Sequence, residues 1–487
     1  MTAVARHKTA LRRREASRPI RLALTQGLIS PNTTVFDYGC GYGSDLRHMA
    51  DMGIDCAGWD PAYCPSAPRV EADVVNLGYV VNVIESGRER TDTLRSAWTL
   101  ARRLLLVSAR LVHERRLCSG DEFEDGVLTT RGTFQKFFEQ SDLRSWIEQS
   151  LGVECVPAAP GVFLVFREDT EREGYVASQF RRRVALPRLR RTESLFREHE
   201  DLLHPLVSFM GERGRPPRDG ELVNALALEE TLGSVGRAVE VVRRVFGPDS
   251  WAEVARMRRE DLLVYLALSR FGGRVKAGQL PTTIRNDVKF HYGTYLKACE
   301  YADRLLYSVG DRRMLSSVMD ETSLGKRTAS AYYVHRSYLE SVPPELRVYE
   351  GCARALVGDV PDANLVKLSR ERFQVSYLSY PDFDRLPHPP LNSSVVVRLG
   401  DLSVKYYDFA GATNPPVLHR KETFLSQDDG RYAKFRRLTE QEERLGLLQE
   451  SAEIGTAAGW TRRLREMGVT LAGHRVVRAR GGDVRSS

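Results

Sequence analysis

The stretch Val35–Asp45, VFDYGCGYGSD, constrains this chain more than any other. Val35 and Phe36 close a short apolar run. Asp37 follows, and Gly39, Gly41 and Gly43 then take alternate positions before a helix-like run opens at Ser44. The pattern predicts a strand, a tight turn and a helix N-terminus. Glycine reaches positive φ at little cost, so the turn can close and leave bare backbone for a ligand to lie against. Unpaired amides at the helix start favour an electron-rich ligand group such as a carboxylate. Asp37, at the strand end, is placed to accept hydrogen bonds from an amine or hydroxyls. The spacing is G-x-G-x-G, not the G-x-G-x-x-G of dinucleotide binders.

An acid two residues before a G-x-G-x-G turn resembles the first motif of class I S-adenosylmethionine (SAM)-dependent methyltransferases. The resemblance implies a second acid at the end of the next strand, holding ribose hydroxyls. Ile54–Pro61 supplies it: a short apolar run ends in Asp60, and Pro61 stops the strand. The separation from Asp37 is enough for turn, helix and strand. Asp37, Gly39, Gly41, Gly43 and Asp60 are therefore the expected SAM contacts, with Asp37 meeting the methionine amine directly or through water.

The flanking segments extend this reading. Residues 1–30 are basic and helical in pattern, with Ser17 a candidate cap and Pro19 in the first turn. His7 and Lys8 are placed to reach cofactor or substrate, with a solvated, basic leading helix as the alternative. Ala62–Pro68 is a proline-rich loop. Ala72–Glu85 is β-branched and apolar and predicts a central buried strand with its exit loop. So little chain separates it from Asp60 that the family's third strand is short or missing, which leaves Glu71 and Asp73 as the nearest adenine contacts. Amino-methylating DNA enzymes carry an Asn/Asp-Pro-Pro-aromatic tetrad at this strand exit, and its ring stacks on a flipped base. Here Asn76…Tyr79 keeps the polar and aromatic ends without prolines, and Asn82 and Glu85 follow. Tyr79, Asn82 and Glu85 are the catalytic candidates, with an ordinary polar strand exit as the alternative. Thr91–Arg103 predicts a helix, Leu104–Ala109 a strand, and Phe134–Leu151 a second helix. Residues 153–166 read as a closing antiparallel hairpin.

At 487 residues the chain is too long for one core. The expected architecture is a Rossmann-like class I methyltransferase domain over 1–168, then a mainly helical basic region over 169–330. A small mixed α/β region with a flexible tail fills 331–487. The net charge of +8 allows an anionic partner without demanding one. Arg181–Arg191 packs arginines between leucines and is compatible with a phosphate-tracking arm or an exposed linker helix. Arg213–Arg218 adds a second basic turn. Tyr292, Tyr295 and Tyr301 near Lys289 and Lys297 read as a core stripe or as stacking positions. In the last third, His419-Arg420-Lys421-Glu422 is a polar cluster open to phosphate or nucleic acid. Asn414-Pro415-Pro416 reads as a turn, far from the glycine motif. His388, His419, Asp382 and Asp384 lack close metal-ligand spacing, so no metal is expected. The seven cysteines stand singly, without a C-x-x-C pair. Neither a secretory signal nor a bilayer-length apolar run is present. Reduced thiols and a cytoplasmic location are expected.

Several segments together resemble one bacterial family, the DNA phosphorothioation-associated methyltransferases. They are Arg6–Ala10, Asp37–Gly43, Gly58–Pro61, Asn82–Glu85, Leu262–Leu268 and Asn414–Glu422, and they run through nearly the whole chain. The resemblance implies a SAM-dependent enzyme acting near DNA, in gene clusters that replace a phosphate oxygen with sulfur in defence against foreign DNA. DNA is then the expected partner, through Arg181, Arg182, Arg183, Arg188, Arg190 and Arg191, alongside other proteins of that system. Two alternatives remain open: a non-catalytic SAM-fold module, and a methyltransferase for RNA, protein or a small molecule.

Overall fold

The structure is a computed structural model and describes residues 4–182, 194–449 and 452–479. Contacts divide the described chain into two units. One draws on Met1–Glu168, Leu324–Arg336 and Cys352–Ser487, the other on Asp169–Ser323 and Ser337–Gly351.

The first unit is built on β1 (Val35–Tyr38), β2 (Cys56–Trp59), β3 (Ala72–Gly78), β4 (Ala101–Ser108), β8 (Val156–Ala159) and β9 (Val162–Phe166). Their spatial order is β2-β1-β3-β4-β9-β8. The pairs β2/β1, β1/β3 and β3/β4 are parallel, and β9 runs antiparallel to both β4 and β8. This is the Rossmann-like methyltransferase order with its third strand left out. The omission follows from composition: Pro61, Pro65 and Pro68 cannot donate to a ladder, and residues 60–64 close a turn through an Asp60–Cys64 bridge. β3 and β4 are covered on both faces, so Val74, Val75, Leu77 and Leu104–Val107 are fully buried. Helices α1 (Arg18–Thr25), α2 (Ser44–Asp51), α3 (Gly87–Leu100) and α4 (Gln140–Leu151) complete the layer.

Two boundaries differ from expectation. α3 starts at Gly87, not Thr91, because Ser86 Oγ accepts from Glu89 N at 3.3 Å and caps it. The predicted helix over 134–151 begins only at Gln140. Phe134–Gln135 is instead strand β7, third in a small sheet with β5 (Gly120–Phe123) and β6 (Gly126–Thr129). A Cβ on Gly126 would lie 2.5 Å from the Phe134 ring, so that glycine makes the room. The spacing of Phe134, Phe137 and Phe138 imitates a helix because a short strand and its exit bury alternate rings.

The rest of this unit includes an antiparallel sheet. Its strands are β10 (Lys326–Arg327), β11 (Ala331–His335), β12 (Leu365–Ser369), β13 (Gln374–Ser379), β14 (Ser393–Arg398) and β15 (Ser403–Asp408), paired in sequence order. Tyr406 stacks on His113 at 4.0 Å, and Asp359 N donates to Ala158 O at 2.8 Å, joining it to the first sheet. The His419–Glu422 cluster is turned inward, which corrects the phosphate reading. Lys421 Nζ donates to Phe383 O at 2.7 Å and Leu386 O at 2.5 Å, and Glu422 Oε2 accepts from Thr439 at 2.8 Å. Asn414 Oδ1 accepts from Ala458 N at 2.8 Å, a turn contact. No group of three or more metal-ligating side chains occurs among the described residues.

The second unit is helical, with Leu203, Leu206, Met210, Val242, Val245 and Trp251 in its core. Several of its arginines are internal, among them Arg215, Arg258 and Arg347. Arg215 is 2% exposed and bonds Glu221 and Asp287, both at 2.7 Å, so the turn at 213–218 is structural. Arg182 is clamped by Asp261 at 2.6 Å and Glu260 at 2.9 Å, and burial lowers the pKa of Arg181. Arg183, Arg188, Arg190 and Arg191 lie outside the described residues. No helix among the described residues is long and apolar enough to cross a membrane.

Candidate functional site

The turn after β1 is held open by backbone. Gly39, Gly41 and Gly43 have φ of +90°, +52° and +67°, all left-handed. Gly39 N and Cys40 N both donate to Trp59 O, at 2.7 and 3.1 Å, which ties the turn to the end of β2. A Cβ on Gly39 would lie 2.4 Å from Val80 Cγ2, and one on Gly41 would lie 3.1 Å from Ala10 Cβ. Glycine is required here by space as well as by φ.

Asp60 closes the cradle from β2. Its Oδ2 accepts from Gly41 N at 3.0 Å, and its Oδ1 accepts from Ala62 N at 2.8 Å and Tyr63 N at 3.0 Å. The carboxylate is fixed in place with lone pairs left for ligand hydroxyls. Aromatic side chains wall the approach. Tyr42 and Tyr63 are 4.4 Å apart, Arg12 lies over Tyr42, and Arg69 lies 3.8 Å over Trp59. Tyr63 OH donates to His7 O at 2.6 Å, strapping the N-terminal segment across the mouth.

The cavity enclosed is about 1050 Å³. Gly39, Gly41, Asp60, Tyr79 and Asn82 all line it, as do His7 and Lys8. Asn82 is 1% exposed. Its Nδ2 donates to Gln135 Oε1 at 3.0 Å, and its Oδ1 is buried with no partner among the described residues. An orphaned acceptor in a cavity wall is an open position for a ligand N–H or O–H. Gln135 was not legible as a site residue because its strand was read as helix. Trp59, Tyr63 and Arg69 lie in or beside the quoted Gly58–Pro61 segment, and their clustering round Asp60 was the signal available.

Four expected residues sit elsewhere. Asp37 lies beneath the turn at 4% exposure and is not a lining residue. It accepts from Asn76 Nδ2 at 2.8 Å, and burial together with the nearby Asp45 carboxylate pushes its pKa up to about 7. Gly43 is the N-cap of α2 and supports the turn from behind. Asp73 is corrected: it opens β3 at the end of the strand opposite the cradle, where Oδ2 accepts from Thr34 N and Oγ1, each at 2.9 Å. Its carboxylate is a strand clamp and does not line the cavity.

Glu85 is corrected as well. Arg6 donates to both its oxygens, at 2.8 and 2.9 Å, and this pair lowers the carboxyl pKa. A carboxylate so held is a weak proton acceptor, and Glu85 does not line the cavity. Glu85→Gln is therefore expected to leave SAM affinity within about twofold and to cost less than about 1 kcal/mol of stability. Ligand titration and thermal melting check both; a large loss of SAM affinity would restore Glu85 to the site.

No family model matches the chain, and no curated protein matches it. Solved structures similar to part of it are methyltransferases. Magnesium protoporphyrin IX methyltransferase from Synechocystis PCC 6803, solved with bound SAH, is 16% identical over 31% of this chain and 80% of that one, with a TM-score of 0.23. The sugar N-methyltransferase KedS8 from Streptoalloteichus sp. ATCC 53650 is 13% identical over 31% and 87%, with a TM-score of 0.25. The 1,6-didemethyltoxoflavin-N1-methyltransferase from Burkholderia thailandensis is 14% identical over 34% and 78%, with a TM-score of 0.22. The fold assignment rests on the strand order and crossover pattern described above.

Proposed function

We propose that this chain is a SAM-dependent methyltransferase acting on DNA within a bacterial phosphorothioation system, beside other proteins of that system. The observation that carries the enzyme reading is the glycine cradle locked to Asp60 and opening onto a cavity that also holds Asn82. The residues fit SAM: the cradle has space that only glycines leave, and an anchored carboxylate faces it. Bound there, SAM supplies an electrophilic methyl group.

The chain's own residues position the acceptor. Gly39 and Gly41 let the ligand meet bare backbone, and Asp60 takes hydroxyl protons as hydrogen bonds. Asn82 Oδ1 accepts from the acceptor's N–H or O–H and orients its lone pair toward the methyl group. Asn82 is neutral and orients the acceptor, and the proton that the acceptor gives up on methylation leaves to solvent. Tyr79 offers a half-buried ring beside the acceptor. Lys8, Arg13, Arg69 and Arg131 line the same cavity beyond the paired Arg6 and Arg110, against the carboxylates of Asp60, Glu89, Asp92 and Glu114, and the small basic excess supports an anionic substrate. The assignment to DNA rests on this basic lining and on the family resemblance.

Methyl-labelled SAM incubated with DNA, tRNA and cellular protein tests the substrate. Label on DNA is expected; label on RNA or protein but not on DNA overturns it. With the labelled substrate in hand, Asn82→Ala is expected to lower kcat at least tenfold, about 1.4 kcal/mol, while SAM affinity holds.

A further inference from the structure

Outside the cofactor cavity a groove of about 490 Å³ runs across the N-terminus of α1. Arg13, Arg14, Arg18 and Arg21 line it. Its single acid, Glu15, is paired with Arg21. The arginines therefore outnumber carboxylates and present net positive charge.

The groove has a built polar floor. Ser17 precedes α1 with extended backbone (ψ 157°) and is the expected cap, yet its Oγ caps nothing. Ser17 is 4% exposed, lines the groove, and its hydroxyl has no partner among the described residues. Its backbone is pinned instead: Ser17 N donates to Asp45 Oδ1 at 2.7 Å. The first intrahelical bond runs from Arg21 N to Ser17 O. The amides of Arg18 and Ile20 thus come before the ladder, and Pro19 has none to offer. The segment leading in is fixed on α2: Arg13 N donates to Ser44 Oγ at 3.2 Å, and His48 Nε2 meets Arg14 O at 2.8 Å. Arg18 donates to Pro160 O at 3.2 Å and Arg21 pairs with Glu15, so an orphaned hydroxyl, a helix N-terminus and the guanidiniums of Arg13 and Arg14 line one groove, which is the chemistry that holds a phosphate.

The groove and the cofactor cavity share two lining residues, Arg13 and Tyr79. Tyr79 has φ +61°, a conformation uncommon outside glycine. It is held there because its amide donates to Ser108 O at 3.0 Å and Ser108 Oγ at 3.2 Å. The turn sets the Tyr79 ring between the two hollows, with the Arg13 guanidinium 5.8 Å from its centroid.

We propose that this groove binds a backbone phosphate of a single DNA strand, and that Tyr79 passes the neighbouring base toward Asn82. The proposal rests on the methyltransferase reading for what happens to that base, but the phosphate site stands on its own geometry. Aromatic–cation pairs at such a junction stack bases and carry backbone charge together.

The full-length chain is titrated with a fluorescent single-stranded oligodeoxynucleotide across a salt series. The wild type is compared with Arg14→Glu/Arg21→Glu and with Ser17→Ala, and SAM binding is measured in parallel. Arg14 and Arg21 are exposed, so the double variant is expected to melt as the wild type does. Its oligonucleotide affinity is expected to fall at least tenfold, and its log–log salt slope to shrink by about two. Ser17→Ala, which removes only a hydroxyl, is expected to show a smaller loss of the same sign. Unchanged oligonucleotide affinity in both variants overturns the site. Inorganic phosphate or a mononucleotide that competes as well as the strand overturns the strand as its ligand. If SAM fails to bind while the oligonucleotide loss holds, the cofactor reading falls and the groove remains.

Discussion

Asp60→Ala is expected to abolish SAM binding, with a loss of at least a hundredfold, about 3 kcal/mol. Two effects add. The carboxylate faces the cradle, and hydrogen bonds to a charged acceptor are each worth about 1.5–3 kcal/mol. The same carboxylate ties three backbone amides, those of Gly41, Ala62 and Tyr63, so its removal also frees the turn and the loop that carries Tyr63. The loop in turn holds the N-terminal segment through His7 O. Asp60→Asn keeps one carbonyl oxygen for the loop amides but turns a donor toward Gly41 N or the ligand, and an intermediate loss is expected. Isothermal titration with SAM on the three proteins checks this. Asp60 is only half-buried, so the melting temperature is expected to move little, which separates lost binding from lost folding. An Asp60→Ala protein that binds SAM within threefold of the wild type places the cofactor elsewhere.

The residues that made this prediction possible were legible because their chemistry is local. A glycine at Gly39 or Gly41 announces its φ whatever surrounds it, and a carboxylate before Pro61 announces a strand end. That the third strand is short or missing was legible from how little chain separates Asp60 from Ala72. What sequence could not supply was depth and direction. Asp37 and Asp60 are both acids at strand ends, yet one lies under the floor and the other on the rim, because β1 is flanked by β2 and β3 while β2 is the sheet edge. Glu85 and Arg6 are 79 residues apart, so no local pattern could reveal that one neutralises the other. Asp73 and the glycine turn lie at opposite ends of parallel strands: Val35 sits beside Val74, so Asp73 belongs with Thr34 before β1, not with Gly39 after it. The basic turn at 213–218 is legible as basic but not as internal, because composition cannot show that Asp287, far along the chain, receives Arg215.

The second large effect is a stability change at Asp37. The carboxyl is fully buried, its pKa is pushed up to about 7, and the ordinary value is 3.8. The cause is first burial and then the charge of Asp45, against the partial relief of the Asn76 hydrogen bond. The native state therefore keeps its proton up to about pH 7, while the unfolded chain releases it near pH 4. Between those values the native state binds more protons, so stability falls as pH rises and levels off above about 7. Over that window the difference in proton binding amounts to roughly 4 kcal/mol. Asp37→Asn has no proton to lose and keeps an oxygen for Asn76 Nδ2. Its stability is expected to stay flat from pH 4 to 8 at this position and to exceed the wild type by a few kcal/mol at pH 8, with near equality at pH 4. Denaturant melts of the two proteins at matched pH measure the difference directly. A wild type that is as stable as Asp37→Asn at pH 8 would mean that Asp37 ionises freely in the fold. On the methyltransferase reading proposed above, a cationic ligand held in the cradle over Asp37 would favour its charged form. The wild type is therefore expected to release a proton as SAM binds near pH 6, read from calorimetry in buffers of different ionisation enthalpy. Asp37→Asn should release none and bind SAM more weakly, trading affinity for the stability it gains.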